Sequence, residues 1–166
     1  ANFNPQVEDY IIELPFGTTV VPTVTATAND VGANAPAITQ APDVNGVAQI
    51  VVTAQNNSTT KTYTIDFNVA APTADATLSN LSVNGTTVEN FDPATDLYTV
   101  TIPYSTAQQP AVTFTTTDPN ATAEISSTPN PWPAPGTTAN RDVVVTVTAQ
   151  DQSTKNYTVR FELAPA

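Results

Sequence analysis

The chain repeats itself, and this repetition constrains its fold more than any other feature of the sequence. The segment Phe3-Asn-Pro-Gln-Val-Glu-Asp-Tyr10-Ile-Ile-Glu-Leu-Pro15 has the same Phe-to-Tyr and Tyr-to-Pro spacings as the segment that runs from Phe91 to Pro103. Residues 52–67 and 147–161 form a second pair, with Val-Thr-Ala-Gln, Lys-x-Tyr and a closing Phe in both copies. Such self-similarity indicates two copies of one structural unit. We therefore predict two tandem modules, residues 1–70 and 71–166.

Apolar residues that alternate with period two predict strands in each module. Near the start of each module three of them share one face, namely Tyr10, Ile12 and Leu14 in the first and Tyr98, Val100 and Ile102 in the second. Near the end, two runs face each other across a turn and predict a hairpin, 50–54 with 63–69 and 143–147 with 157–163. The segments 20–28 and 111–117 are also strand-like. With 15 prolines against long helices, the pattern predicts an all-β fold of two tandem immunoglobulin-like antiparallel β-sandwiches.

The second module has an opening segment that the first lacks. Residues 78–85 read as a first strand and a turn, and nothing before residue 3 corresponds to them. We expect that the first strand of the first module is missing because the sequence belongs to a longer chain; the alternative is that this module has fewer strands. The Ala-Pro exit recurs after both copies, at 71–72 and 164–165, so further modules are also expected.

The repeated blocks resemble the bacterial cadherin-like β-sandwich family. Residues 78–163 match its Leu-x-x-Leu-x-Val-x-Gly, Phe-Asp-Pro-x-Thr-x-x-Tyr and Val-Thr-Ala-x-Asp blocks, and residues 3–69 match the last two. The resemblance implies spacer and presentation modules of secreted or surface-anchored bacterial proteins, often beside carbohydrate-active enzymes or adhesins. It implies a secreted or cell-surface location and the other domains of the parent chain as partners. Only Asp75 lies near the linker, so the intermodule calcium of true cadherins is not expected here.

Charge and composition exclude several classes of function. Lys and Arg total 4 against 15 Asp and Glu, and a net charge of −11 repels nucleic acid. Without Cys or His the chain lacks the usual zinc ligands and cannot form a Ser-His-Asp triad. It also has no apolar run near the roughly 20 residues that a membrane helix needs. We predict a monomer without catalytic residues, cofactor or metal, not an enzyme, and not inserted in a membrane.

The charged clusters have ordinary interpretations. The acidic residues in 8–13 could form a catalytic carboxylate pair, but a solvated strand face is favoured. Residues 92–96 offer oxygen ligands without the Gly and terminal Glu of a calcium loop, so a turn is favoured there. Lys61 and Lys155 fall in or beside the hairpin turns, where we expect them to be exposed, which disfavours an intramolecular isopeptide bond.

Trp132 is the one residue that suggests a ligand site. It lies in a Pro-rich insertion, 128–136, that the first module lacks. The indole either covers an open end of the sandwich core, which we favour, or stacks on a sugar, with Tyr104 extending the platform. The leading hypothesis for function is a spacer and presentation role. The alternative is a carbohydrate-binding or adhesive module, with a polysaccharide or cell-wall glycan bound at Trp132 and Tyr104.

Overall fold

The computed structural model describes residues 3–165, which form eleven β-strands and no helix. No helix in this part of the chain could therefore cross a membrane. The contacts divide the chain into unit 1, Ala1–Ala71, and unit 2, Pro72–Ala166, one residue from the predicted boundary. The strands are β1 (Asp9–Leu14), β2 (Ala37–Thr39), β3 (Val47–Thr53), β4 (Thr60–Val69), β5 (Leu78–Val83), β6 (Thr86–Thr87), β7 (Leu97–Ile102), β8 (Val112–Thr116), β9 (Thr122–Ser127), β10 (Asp142–Thr148) and β11 (Thr154–Leu163).

Unit 2 is a sandwich of two sheets. Four strands pair in the order β7-β11-β10-β9, and three pair in the order β6-β5-β8. Leu78 and Leu81 of β5 belong to the same core cluster as Val145 and Tyr157 of the larger sheet, and all four are fully buried. This arrangement confirms the β-sandwich that the alternating pattern predicts.

Unit 1 repeats the larger sheet alone. Its strands pair in the order β1-β4-β3-β2, and the predicted hairpin is confirmed, with Ile50 opposite Tyr63 and Ala48 opposite Ile65. The buried core is smaller than in unit 2 and consists of Val24, Ala41, Ala48, Ile50, Tyr63 and Phe67. The two sheets correspond strand by strand, as the sequence repeat predicts.

The pairing is not antiparallel throughout. β1 lies parallel to β4, with Tyr10 opposite Ile65, and β7 lies parallel to β11, with Tyr98 opposite Val159. The prediction of purely antiparallel sheets is wrong for these two pairs. Period-two alternation assigns side chains to a face of the sheet, but it carries no information about the direction of the neighbouring strand.

One predicted strand is absent from unit 1. Its counterpart in unit 2 is β8, which pairs with β5 so that Val83 lies opposite Val112. Residues 20–28 keep the alternating burial of a strand, with Val24 buried, but they form no ladder. Within residues 3–71 no strand occupies the place of β5. The prediction for 20–28 is therefore wrong because a strand also needs a hydrogen-bonded neighbour.

In both units the tyrosine of the repeated Phe-to-Tyr segment binds the backbone of the residue that follows the Phe. In unit 1 the Tyr10 hydroxyl donates to the carbonyl oxygen of Asn4 (2.6 Å) and accepts the N–H of the same residue (2.8 Å). In unit 2 the Tyr98 hydroxyl makes the same two bonds with Asp92, at 2.5 and 3.1 Å. The tyrosine hydroxyl thus fixes the segment that leads into the first strand of the larger sheet.

Tyr157 is expected to contribute more stability than its counterpart Tyr63. Its buried hydroxyl donates to the carbonyl of Pro93 (2.7 Å) and accepts the N–H of Leu78 (3.1 Å). The Tyr63 hydroxyl donates to Pro5 (3.0 Å), and no N–H from residues 3–165 donates to it. Tyr157→Phe leaves a buried N–H unpaired and should lower the free energy of unfolding of unit 2 by about 1–3 kcal/mol.

Urea unfolding measures this effect. Trp132 is the only Trp and lies in unit 2, so its emission follows that unit alone, while the methyl NMR signal of Ala48 follows unit 1. The control is Tyr63→Phe, which should lower the stability of unit 1 by only about 0.5–1.5 kcal/mol. A larger loss for Tyr63→Phe than for Tyr157→Phe would contradict the assignment.

Candidate functional site

The Trp132 loop, residues 128–141, joins β9 to β10 in unit 2. The indole is half-buried, and its ring packs edge-on against Phe161, with centroids 5.7 Å apart and an interplanar angle of 76°. Its Nε1 is also buried and has no hydrogen-bond partner among the described residues. The ring therefore contributes to the core of unit 2, which is the arrangement that the favoured interpretation predicts.

The buried side chain of Arg141 binds several backbone carbonyls of the Trp132 loop. Its side chain is only 4% exposed, and its guanidinium donates to the carbonyl oxygens of Ala134 (2.8 Å), Thr137 (2.8 Å) and Ala139 (3.2 Å). Proline has no N–H to donate, so a Pro-rich segment does not form a regular hydrogen-bonded ladder. Its carbonyl oxygens are then left without backbone donors. A planar group with five N–H donors can satisfy several of these carbonyls at once.

The role of Arg141 was not predicted from the sequence. An Arg directly before an apolar strand usually indicates a polar strand end, and this one stands between Asn140 and Asp142. The available signal was the combination of a Pro-rich loop and a single Arg at its end. An arginine in such a place can donate to several loop carbonyls at once.

Tyr104 lies beside the Trp132 loop and remains 46% exposed. A methyl group at Gly136 would overlap the Tyr104 hydroxyl, so the two residues are in close contact. Gly136 also has a φ of +74°, which a residue with a side chain rarely adopts. The structure thus brings Tyr104 to the loop of Trp132, and Tyr104 is the more accessible of the two predicted ligand residues.

Both repeated lysines are less exposed than predicted. The Lys155 ammonium donates to the carbonyl of Pro93 (2.8 Å), pairs with Asp96 (3.1 Å) and lies 5.1 Å from the centre of the Tyr157 ring. Lys61 makes the equivalent contacts with Pro5, Glu8 and Tyr63. The prediction of exposed lysines is wrong because the ammonium of each lysine lies over a tyrosine ring and donates to a backbone carbonyl in the segment before the first strand of its sheet.

The environment of Lys155 keeps it charged. Partial desolvation lowers its pKa, but the hydrogen bond from its ammonium to Asp96 and the attraction of the Asp96 charge act in the opposite direction and prevail. The net result is a raised pKa. Lys155 is therefore a cation that fastens the chain before β7, and it is unsuited to act as a base or nucleophile.

The acidic residues serve turns and strand faces at the positions that the sequence analysis singled out. No three carboxylates among residues 3–165 lie close enough together to hold a metal ion. Asp92 accepts the N–H of Ala94 (2.8 Å), which is the turn that the sequence predicts. In the 8–13 cluster, Asp9 accepts the hydroxyl of Thr64 (2.6 Å), and it lies exposed on the outer face of β1.

Comparisons with known proteins connect parts of the chain with carbohydrate-active enzymes. A gellan lyase from Bacillus sp. is 41% identical over 69 residues, which cover 42% of this chain and 3% of the lyase. An exo-beta-1,6-galactobiohydrolase from Bifidobacterium longum is 37% identical over 91 residues, covering 54% of this chain and 6% of that enzyme. The matches thus span only a small fraction of these relatives' length.

The remaining comparisons do not assign a family. No family model matches the chain, so membership of the cadherin-like family stays a prediction. A solved structure of protocadherin gamma B7 extracellular cadherin domains 1–4 covers 95% of this chain and 49% of that chain, with 10% identity and a TM-score of 0.33. The fold assignment rests on the strands and sheets described above and not on this likeness.

Proposed function

We propose that the chain is a non-catalytic spacer and presentation segment of a larger secreted or surface-attached bacterial protein that acts on polysaccharide. The observation that carries this proposal is the extent of the two matches. Both relatives are named for polysaccharide or oligosaccharide chemistry, yet the matched stretches make up only 3% and 6% of their lengths. A stretch that small is far from a whole enzyme, and it suits an accessory segment.

The described residues support a mechanical role. Each unit is a small β structure whose fully or largely buried side chains are Val, Leu, Ile, Ala, Phe and Tyr, with Ser82 and Arg141 as the buried polar exceptions. Lys155 and Asp96 neutralise each other, and Asp142 pairs with Arg160 (2.9 Å). These charges fasten strands and turns within the chain, and its proposed partners are the other domains of the parent protein.

Activity and binding assays on the chain alone test the proposal. We expect no release of reducing ends or unsaturated products from gellan or from β-1,6-galactan, with and without added Ca²⁺. We also expect no change in the emission of Trp132 with either glycan. Product release that rises in proportion to the concentration of the pure chain would contradict a non-catalytic role.

Carbohydrate binding at Trp132 and Tyr104 is the second candidate function. It is favoured by the exposure of Tyr104 beside the Trp132 loop, since an exposed aromatic ring on a fixed loop can stack on a sugar. NMR titration with the same glycans distinguishes it from the first. Saturable shifts at Tyr104 and Gly136 that vanish in Tyr104→Ala would support binding there.

A further inference from the structure

Unit 1 has an open apolar groove between its sheet and the segment 20–28. Two adjoining openings, of about 320 and 340 Å³, share the lining residues Phe3, Ala26, Thr27, Ile50 and Tyr63. Phe3 is 69% exposed at this groove, whereas its counterpart Phe91 packs against the core of unit 2. The groove is thus an apolar surface that unit 1 leaves uncovered.

The internal repeat identifies what fills the same place in unit 2. The shift that aligns Pro15 with Pro103 also aligns Val24 with Val112, and both valines are 8% exposed. It further aligns Asp30 with Asp118, and each carboxylate accepts the backbone N–H two residues later. Residues 20–28 of unit 1 therefore correspond in structure to β8 and its flanks.

In unit 2 the strand β5 covers this position. Leu81 lies opposite Phe114 and Ser82 opposite Thr113, and the leucine is fully buried. Beneath it, Val147 and Val159 of the larger sheet are also fully buried. Their counterparts in unit 1, Val52 and Ile65, remain partly exposed.

The backbone of 20–28 has one satisfied edge and one free edge. Toward one side the N–H and C=O of Val24 are both bonded to the side-chain amide of Gln40, at 2.8 Å each. The backbone N–H and C=O groups of alternate residues point toward the other side. These residues are Thr23, Thr25 and Thr27, and their backbone groups make no hydrogen bonds within residues 3–165. Thr25 corresponds to Thr113, which pairs with β5. A free edge beside an apolar groove is a template for an added strand.

We propose that this groove binds an extended peptide strand of the β5 type, added antiparallel to residues 20–28. Its apolar side chains stand at the first, fourth and sixth positions, as Leu78, Leu81 and Val83 do in β5. The first two fill the groove, and the backbone pairs with the free edge at Thr25. The other positions of β5 are Ser and Asn, and uncharged residues suit a chain of net charge −11, which repels an acidic strand.

A synthetic peptide with the sequence of residues 75–84 tests the proposal on the isotope-labelled chain. We expect saturable NMR shifts at the amides of Thr23, Thr25 and Thr27. At a peptide concentration about ten times the dissociation constant, hydrogen exchange at Thr25 should slow about tenfold, because only the free fraction exchanges. A control peptide with Ser in place of both leucines should cause neither change.

The protein variant Thr25→Pro provides a matched control. It removes the N–H that pairs with the added strand but breaks no hydrogen bond within the described residues, so unit 1 should stay folded and lose the peptide. The Ala48 methyl signal reports whether the fold is intact. Binding that survives Thr25→Pro unchanged would overturn the proposed pairing.

A fused chain keeps the test decisive if the free peptide binds weakly. Joining the 75–84 sequence ahead of residue 1 through a flexible linker raises its effective concentration to the order of millimolar. Absence of Thr25 protection in both the fused chain and the peptide titration would overturn the proposal. Protection that appears without peptide and rises with protein concentration would also overturn it, since the occupant would then be a second copy of the chain.

Discussion

Replacing Leu81 with alanine is expected to lower the free energy of unfolding of unit 2 by about 3 kcal/mol. Leu81 is fully buried on β5, opposite Phe114, between the two sheets of the sandwich. Truncation removes its apolar contacts and leaves a cavity that two hydrogen-bonded sheets cannot close. Urea unfolding followed by the emission of Trp132 measures the loss.

The control is Leu97→Ala, because Leu97 is a leucine of the same unit that is 47% exposed. This variant should change the stability of unit 2 by less than about 1 kcal/mol. The Ala48 methyl signal should show an unchanged midpoint for unit 1 in both variants. Equal losses for the two leucines would mean that β5 does not close the core.

Arg141→Met is expected to lower the stability of unit 2 by about 2–4 kcal/mol and to release the Trp132 loop. The substitution keeps an apolar stem of similar length but leaves the carbonyls of Ala134, Thr137 and Ala139 without their donor. With the loop released, the indole should leave Phe161, and its emission should shift to longer wavelength in the folded protein. Fluorescence spectra and urea unfolding measure the two effects.

Two controls separate the carbonyl contacts from charge alone. Arg141→Lys keeps the charge but not the fork of donors, so it should recover only part of the lost stability. Arg160→Met removes a half-exposed Arg that pairs with Asp142, and it should lower the stability of unit 2 much less than Arg141→Met does, because water screens a surface ion pair. Full rescue by Arg141→Lys would show that the charge, and not the geometry of the donors, holds the loop.

The repeat and its alternation were enough to predict three of the four strands in the larger sheet of each unit, and β2 and β9 were not predicted. Alternating Val143, Val145 and Val147 are all fully buried, because one face of β10 meets the core and the pattern records that burial directly. The matched Phe-to-Tyr spacing likewise reflects one local contact, between a tyrosine hydroxyl and the backbone six residues earlier. Structural features that depend on a few consecutive residues could therefore be predicted from the sequence.

Structural features that depend on a distant part of the chain could not be predicted in this way. Residues 20–28 have the alternation of a strand, but whether they form one depends on a neighbour that only unit 2 contains within the described residues. The parallel direction of β1 against β4 is likewise set by residues elsewhere in the chain. The carbonyls that Arg141 binds are close in sequence, but they lie in an irregular loop, whose conformation no periodic pattern predicts. For the candidate site, the sequence identified Trp132 and Tyr104 but not the arginine that fixes their loop.

The parallel pairing of β1 with β4 affects how unit 1 responds to tension. A pull at Asp9 toward the start of the chain and at Val69 toward its end draws these two adjacent strands in opposite directions along their length. The six paired positions, from Asp9–Thr64 to Leu14–Val69, would then share the load in shear and have to break together rather than one at a time. For the spacer role proposed above, this geometry means that unit 1 transmits force along the chain while β1 and β4 stay paired.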